Sequence, residues 1–248
     1  MTDSLYDIDF PDDLLRKLSD IEQKHRELAT FSYDQLNQKY RKRIAVSEAL
    51  GEHGWTVNYR KTPNDAREWL NIINTSNESA IAEQFDENDI RQMQRDIAEQ
   101  YREKPASLYL DLAVRNFEAG RYTEAAMFYL AVINYRVNCI TPAEIRRMTR
   151  QCEKALTEIG ASQYDDLHHL PVARMFFICD ALPSFKTFAT RAFVDGEAHN
   201  LDTGVEPPYL NRNWLMHGRM TRLVEKYECI QLINALSTLI EIEKTCAQ

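Results

Sequence analysis

Apolar residues three and four positions apart run through most of this 248-residue chain, and that spacing constrains its fold more than any other feature. It lays a continuous stripe along a helix, whereas in a strand it would scatter the same residues over both faces. Leu14, Leu15, Leu18 and Ile21 follow Pro11 in this way, and Trp69, Leu70, Ile72 and Ile73 follow Thr62-Pro63-Asn64-Asp65. Ile90, Met93 and Ile97 follow Asp86 and Asp89, whose carboxylates suit a helix start. Thr141-Pro142-Ala143-Glu144 offers a capping threonine, a proline at the first helical position and a glutamate able to bond back to the cap. Only seven glycines interrupt the pattern. Most fall where helices should stop: Gly51 and Gly54 before Trp55, Gly120 in a tight turn, and Gly160, Gly196 and Gly204 in or beside polar loops. The one credible strand is the alternating run Trp55 to Tyr59. The pattern predicts an all-α protein.

A composition shift falls near Glu103-Lys104-Pro105 and suggests an N-terminal helical region, 1–104, and a helical domain, 105–248, with a single continuous helical body as the alternative. Small and aromatic residues alternate from Ser107 to Val137 around Gly120, which predicts two antiparallel helices in close approach. The hairpin resembles one tetratricopeptide unit, but no second copy follows at a fixed period, so it reads as a hairpin within a bundle.

Several functions are excluded or disfavoured. No apolar run approaches a membrane span, and the acidic start Met1-Thr2-Asp3-Ser4-Leu5-Tyr6-Asp7 is unlike a signal peptide, so a cytoplasmic location is expected. Five cysteines with no C-x-x-C pair argue against a zinc ribbon or a disulfide framework and predict mostly buried, reduced thiols. There is no G-x-S-x-G, no G-x-x-x-x-G-K-[ST], no G-x-G-x-x-G and no H-E-x-x-H. Asp165-Asp166-Leu167-His168-His169 has metal-ligand residue types, yet adjacent histidines cannot easily face one ion, and a polar loop is the better reading; no metal and no cofactor are expected. Phe176, Phe177, Phe185, Phe188 and Phe193 fit core packing better than a platform for bases. A net charge of -8 speaks against broad nucleic-acid binding, so any contact with RNA must be local. Positive charge does cluster at Arg136, Arg146, Arg147, Arg150 and Lys154, and again at Arg212, Arg219, Arg222 and Lys226.

The second cluster surrounds Asn211-Arg212-Asn213-Trp214-Leu215-Met216-His217-Gly218. An arginine fork fits phosphate oxygens and a histidine moves protons near neutral pH, so the pair could position a phosphodiester and shift its protons without a metal. Asn213 and His217 are four apart and share a helix face. Arg212 is expected at a helix start, where backbone N–H groups favour an anion. Gly218 within a helix costs about 1 kcal/mol relative to alanine, which points to a close approach by another backbone or an early helix end. Beyond it, a long helix is expected through Leu223, Val224, Tyr227, Ile230, Ile233, Leu236, Leu239 and Ile240, with one face buried.

Arg212-Asn213-x-x-x-His217 resembles the R-N-x-x-x-H signature of HEPN domains, and its Asn211 and Gly218 flanks are similar to versions in bacterial defence and phage-related proteins. The Gly120-Arg121-Tyr122 hairpin is similar to the first helix pair of that domain, and the likeness spans roughly residues 105–248. It implies a helical bundle that dimerises and a metal-independent endoribonuclease of the antiphage or toxin type. Arg212 would hold the scissile phosphate, His217 would transfer a proton at the attacking 2′-hydroxyl or the leaving oxygen, and Asn213 would orient one of them. Some relatives carry a modified tyrosine two residues after the histidine. Arg219 stands there in this chain, which argues against that route of neutralisation; Arg219 and Arg222 would instead contact the RNA backbone. The competing expectation is a non-catalytic helical sensor or adaptor with a regulatory protein partner. A further expectation is that the N-terminal region senses a trigger and restrains the nuclease.

Overall fold

The computed structural model describes residues 33–61, 66–139, 177–193 and 206–246. The chain forms two compact units, residues 1–40 and 41–248. The described residues are helical and contain no strand. In chain order the α-helices are α1 (Tyr33–Glu52), α2 (Ala66–Thr75), α3 (Glu87–Tyr101), α4 (Ser107–Glu118), α5 (Tyr122–Cys139), α6 (Leu182–Phe193), α7 (Arg212–Met216) and α8 (Lys226–Cys246). A 3-10 helix (Glu78–Gln84) precedes α3, and a π-helical turn (Phe177–Ala181) leads into α6.

Helix α8 is the axis of the larger unit. Every residue from Glu228 to Ile240 is buried, where one buried face was expected. A helix covered all round must satisfy its polar residues inside the protein. The run Trp55 to Asn58 meets that need, and it is an extended segment bound to helices rather than a strand. Asn234 Nδ2 donates to the Thr56 carbonyl at 2.6 Å, Asn58 Nδ2 donates to Asn234 Oδ1 at 2.5 Å, and Thr56 and Thr238 share a hydroxyl bond of 2.8 Å. The Val57 amide donates to Ser184 Oγ on α6 at 3.0 Å. The backbone is therefore paired with side chains where a sheet would pair it with a neighbouring strand.

The apolar core gathers around the same segment. Trp55 is fully buried, stacks on Phe85 at 5.6 Å and meets Trp69 edge-on at 6.1 Å. Such aromatic pairs contribute about 0.5–1.5 kcal/mol beyond their burial. Helix α3 begins as its sequence indicates, with Asp86 Oδ1 accepting from the Asp89 amide at 2.8 Å in a full capping box, and it buries Ile90, Met93 and Ile97. Because α3 packs on both α8 and α4, the composition shift near residue 104 is not a break in packing; residues 41–248 are one unit.

The α4–α5 hairpin forms as expected. Ala113, Ala125 and Ala126 are fully buried, which lets the two backbones approach. Phe185 and Phe188 are core residues, 6.0 Å apart, as their spacing predicts. Cys179 and Cys229 are buried, and burial raises the Cys229 thiol above its ordinary range. The segments at Pro11 to Ile21, Thr141 to Glu144 and Asp165 to His169 lie outside the described residues. Among the described residues no helix is long and apolar enough to cross a membrane.

Candidate active site

The motif occupies a short helix of its own. Glu206 and Thr221 join the base of this segment, with the Glu206 carboxylate accepting from the Thr221 amide at 3.0 Å and from its hydroxyl. These bonds hold the Glu206 carboxyl below its usual range. Trp214 and Leu215 are buried and anchor α7, which packs against α5 and α6.

Asn211 caps this helix. Its Oδ1 accepts from the Asn213 and Trp214 amides at 2.9 and 3.2 Å, and its Nδ2 donates to the Arg191 carbonyl at 3.1 Å. The Asn213 and Trp214 amides, expected to favour an anion, are thus satisfied internally. Asparagine is among the strongest N-cap residues, so the cap was readable before the structure.

The other end explains Gly218. The Gly218 amide donates to the Leu215 carbonyl at 3.1 Å and the Arg219 amide to the Trp214 carbonyl at 2.9 Å, the paired bonds of a Schellman motif. Gly218 has φ +66, and a Cβ there would meet nothing within 4 Å. Of the two readings of this glycine, the early helix end is the one the described residues display, since none of them comes within 4 Å of that Cβ position. Gly120 closes α4 in the same way, with φ +72 and open space around it. The long helix accordingly starts at Lys226, not at Gly218, and Leu223 points away from the core at 79% exposure.

The motif side chains divide by burial. Asn213 is buried, and its Oδ1 accepts from Arg212 Nη1 at 2.7 Å, so this asparagine orients the arginine directly. Arg212 is half-buried, which strengthens its field relative to a fully wet guanidinium. His217 is the exposed C-cap residue, its amide bonded to the Asn213 carbonyl at 3.1 Å. The imidazole has no hydrogen-bond partner among the described residues. Met216 beside it is 41% exposed. A guanidinium held by a neighbour and an imidazole open to solvent, within two turns of chain, can bind an oxyanion and exchange a proton.

The two arginines expected to contact RNA differ from Arg212. Arg222 makes a two-pronged pair with Glu228, both bonds 2.7 Å, and Glu228 is buried. Its guanidinium fork is thereby engaged in holding the start of α8, where Glu228 also accepts from the Glu225 amide at 3.0 Å. Arg219 is half-buried, with its amide closing α7.

Close by lies a second polar group that sequence spacing does not expose. His53 Nδ1 lies 2.9 Å from Glu78 Oε1, and Arg191 Nη2 donates to Glu78 Oε2 at 3.2 Å. The Arg191 guanidinium sits 4.3 Å from the centre of the Tyr209 ring. The only sequence signal is that His53 stands between Gly51 and Gly54 at a helix end; its partners come from distant elements. No protein-family model, no curated protein and no solved structure matches this chain.

Proposed function

We propose that this chain is a metal-independent endoribonuclease of the HEPN type, active as a homodimer through Arg212, Asn213 and His217 and serving antiphage or toxin-type defence. The observation that carries the reading is the division of labour in α7: Asn213 holds Arg212, while His217 is open to solvent at the end of the same short helix. Arg212 binds the scissile phosphate and the charge that builds on it. His217 serves in proton transfer as the 2′-oxygen attacks phosphorus, the bond to the 5′-oxygen breaks and that oxygen is protonated, leaving a 2′,3′-cyclic phosphate and a 5′-hydroxyl. Acid–base help of this kind contributes on the order of 10²–10⁴-fold, and fixed positive charge on the transition state adds a further factor. Met216 and Leu223 supply the exposed apolar surface that a second copy would cover, bringing two motifs into one cleft.

The test is cleavage of assorted single-stranded and transfer RNAs in EDTA. Wild-type cleavage that His217→Ala and Arg212→Ala abolish supports the reading. Equal activity in wild type and variants, or a requirement for a divalent ion, overturns it.

A second reading, a non-catalytic adaptor, rests on the outer face of α4, where Leu108 is 63% and Tyr109 49% exposed. A partner protein on that face would explain both. Expression separates the two readings: a nuclease slows growth in a manner that depends on His217, and an adaptor does not.

A further inference from the structure

The described residues contain two histidines, and their surroundings are opposite. Among the described residues His217 has no orienting partner, whereas His53 has the kind of partner that acid–base catalysis uses. With Nδ1 engaged by the Glu78 carboxylate, Nε2 is the ring nitrogen left to meet a substrate. The His53 side chain is 36% exposed, so a substrate can reach it.

The pair is built rather than incidental. Gln231 Nε2 donates to the His53 carbonyl at 2.9 Å, and Trp55 Nε1 donates to the Glu78 carbonyl at 2.9 Å, so core residues fix both backbones. Arg191 then holds the second Glu78 oxygen and donates to the Glu52 carbonyl. Glu78 also acts on Tyr227, whose hydroxyl is pushed up to about 12, chiefly by burial and then by the fields of Glu228 and Glu78, and stays neutral. Arg191 also reaches the motif. Its carbonyl accepts from Asn211 Nδ2 at 3.1 Å, and Asn211 caps the helix that Arg212 begins. One residue therefore braces both the imidazole's carboxylate and the cap of the phosphate-binding helix.

We infer that His53, oriented by Glu78, is a second proton-transfer residue for the RNA held at Arg212. This rests on the ribonuclease reading and assigns its two proton steps. His53 Nε2 takes the proton of the attacking 2′-hydroxyl as the oxygen–phosphorus bond forms. His217, protonated, gives its proton to the 5′-oxygen as that oxygen leaves phosphorus. No oxidant, reductant or further reactant is needed, and the two histidines exchange protonation states over the cycle.

The experiment compares wild type, His53→Ala, Glu78→Gln and His217→Ala at saturating RNA, on an ordinary substrate and on one whose 5′-bridging oxygen is sulfur. A thiolate leaves without a proton, so the loss in His217→Ala should largely disappear on the sulfur substrate. The loss in His53→Ala, on the order of 10²–10⁴-fold in kcat, should persist on both. Added imidazole should restore part of the His53→Ala activity, and Glu78→Gln should lower kcat while leaving KM near its wild-type value. A purely structural role would produce neither result. Wild-type kcat in His53→Ala, or rescue of that variant by the sulfur substrate, overturns this inference alone. If wild type cleaves no RNA, the ribonuclease reading falls and this inference falls with it.

Discussion

Trp55–Asn58 and Arg212–Gly218 are both short segments anchored by a buried tryptophan, yet they leave opposite things open. Around Trp55 the polar groups face inward: Thr56, Val57 and Asn58 bond to α8 and α6, and the aromatic rings interlock. Around Trp214 only the helix ends are closed, by Asn211 and by Gly218, while Met216 and His217 remain exposed. The first arrangement spends its hydrogen bonds on the fold. The second fixes a backbone and leaves an imidazole available, which is what a site needs.

Substitutions should separate the two regions by their effect on stability. The largest effect is expected for Trp55→Ala, which removes the centre of the aromatic cluster and should cost about 3–5 kcal/mol in denaturant unfolding. Asn234→Ala should follow at about 1–3 kcal/mol, because it strands the Thr56 carbonyl and Asn58 inside the protein. In the motif region, Gly218→Ala should cost about 1–2 kcal/mol through backbone strain alone, since no atom crowds the new methyl. Gly218→Asn should recover part of that loss, whereas a steric origin would make it worse.

A smaller effect concerns pH. Burial pushes the Glu241 carboxyl from an ordinary 4.5 up to about 7, against the opposing bond from the Tyr59 amide. A folded-state value above the unfolded one means that the native protein holds the proton more tightly. Glu241 therefore contributes stability that is complete below about 4.5 and is lost as pH rises through about 7. Stability should fall between those limits, and Glu241→Gln should flatten that part of the stability profile. The smallest effect is expected for His217→Ala, within about 0.5 kcal/mol of wild type, because the side chain is exposed. A large loss of stability in that variant would erase the contrast between the regions.

Local signals were legible in the sequence and distant ones were not. The Asp86–Asp89 capping box, the Gly120 turn and the helical start at Arg212 each depend on residues within a few positions, and all three form. The all-round burial of α8 was not legible, because Gln231, Asn234 and Thr238 read as a wet face until the segment at residues 53–58 is brought against them. The alternation from Trp55 to Tyr59 has the period of a strand, but its partners are side chains on helices. At the motif, the neighbouring Arg212 and Asn213 could be read from adjacency, and Asn211 could have been read from cap preference. His53, Glu78 and Arg191 could not, since each comes from a different element and spacing carries no trace of their meeting.

The most direct test of the composite site is the single-turnover rate of RNA cleavage in EDTA, measured across protein concentration beside the dimer fraction from sedimentation. The account predicts a rate per protomer that rises with the dimer fraction, reaches a plateau when dimerisation is complete and vanishes in His217→Ala. Cleavage by a monomer at the full rate, or none by the dimer, would contradict it.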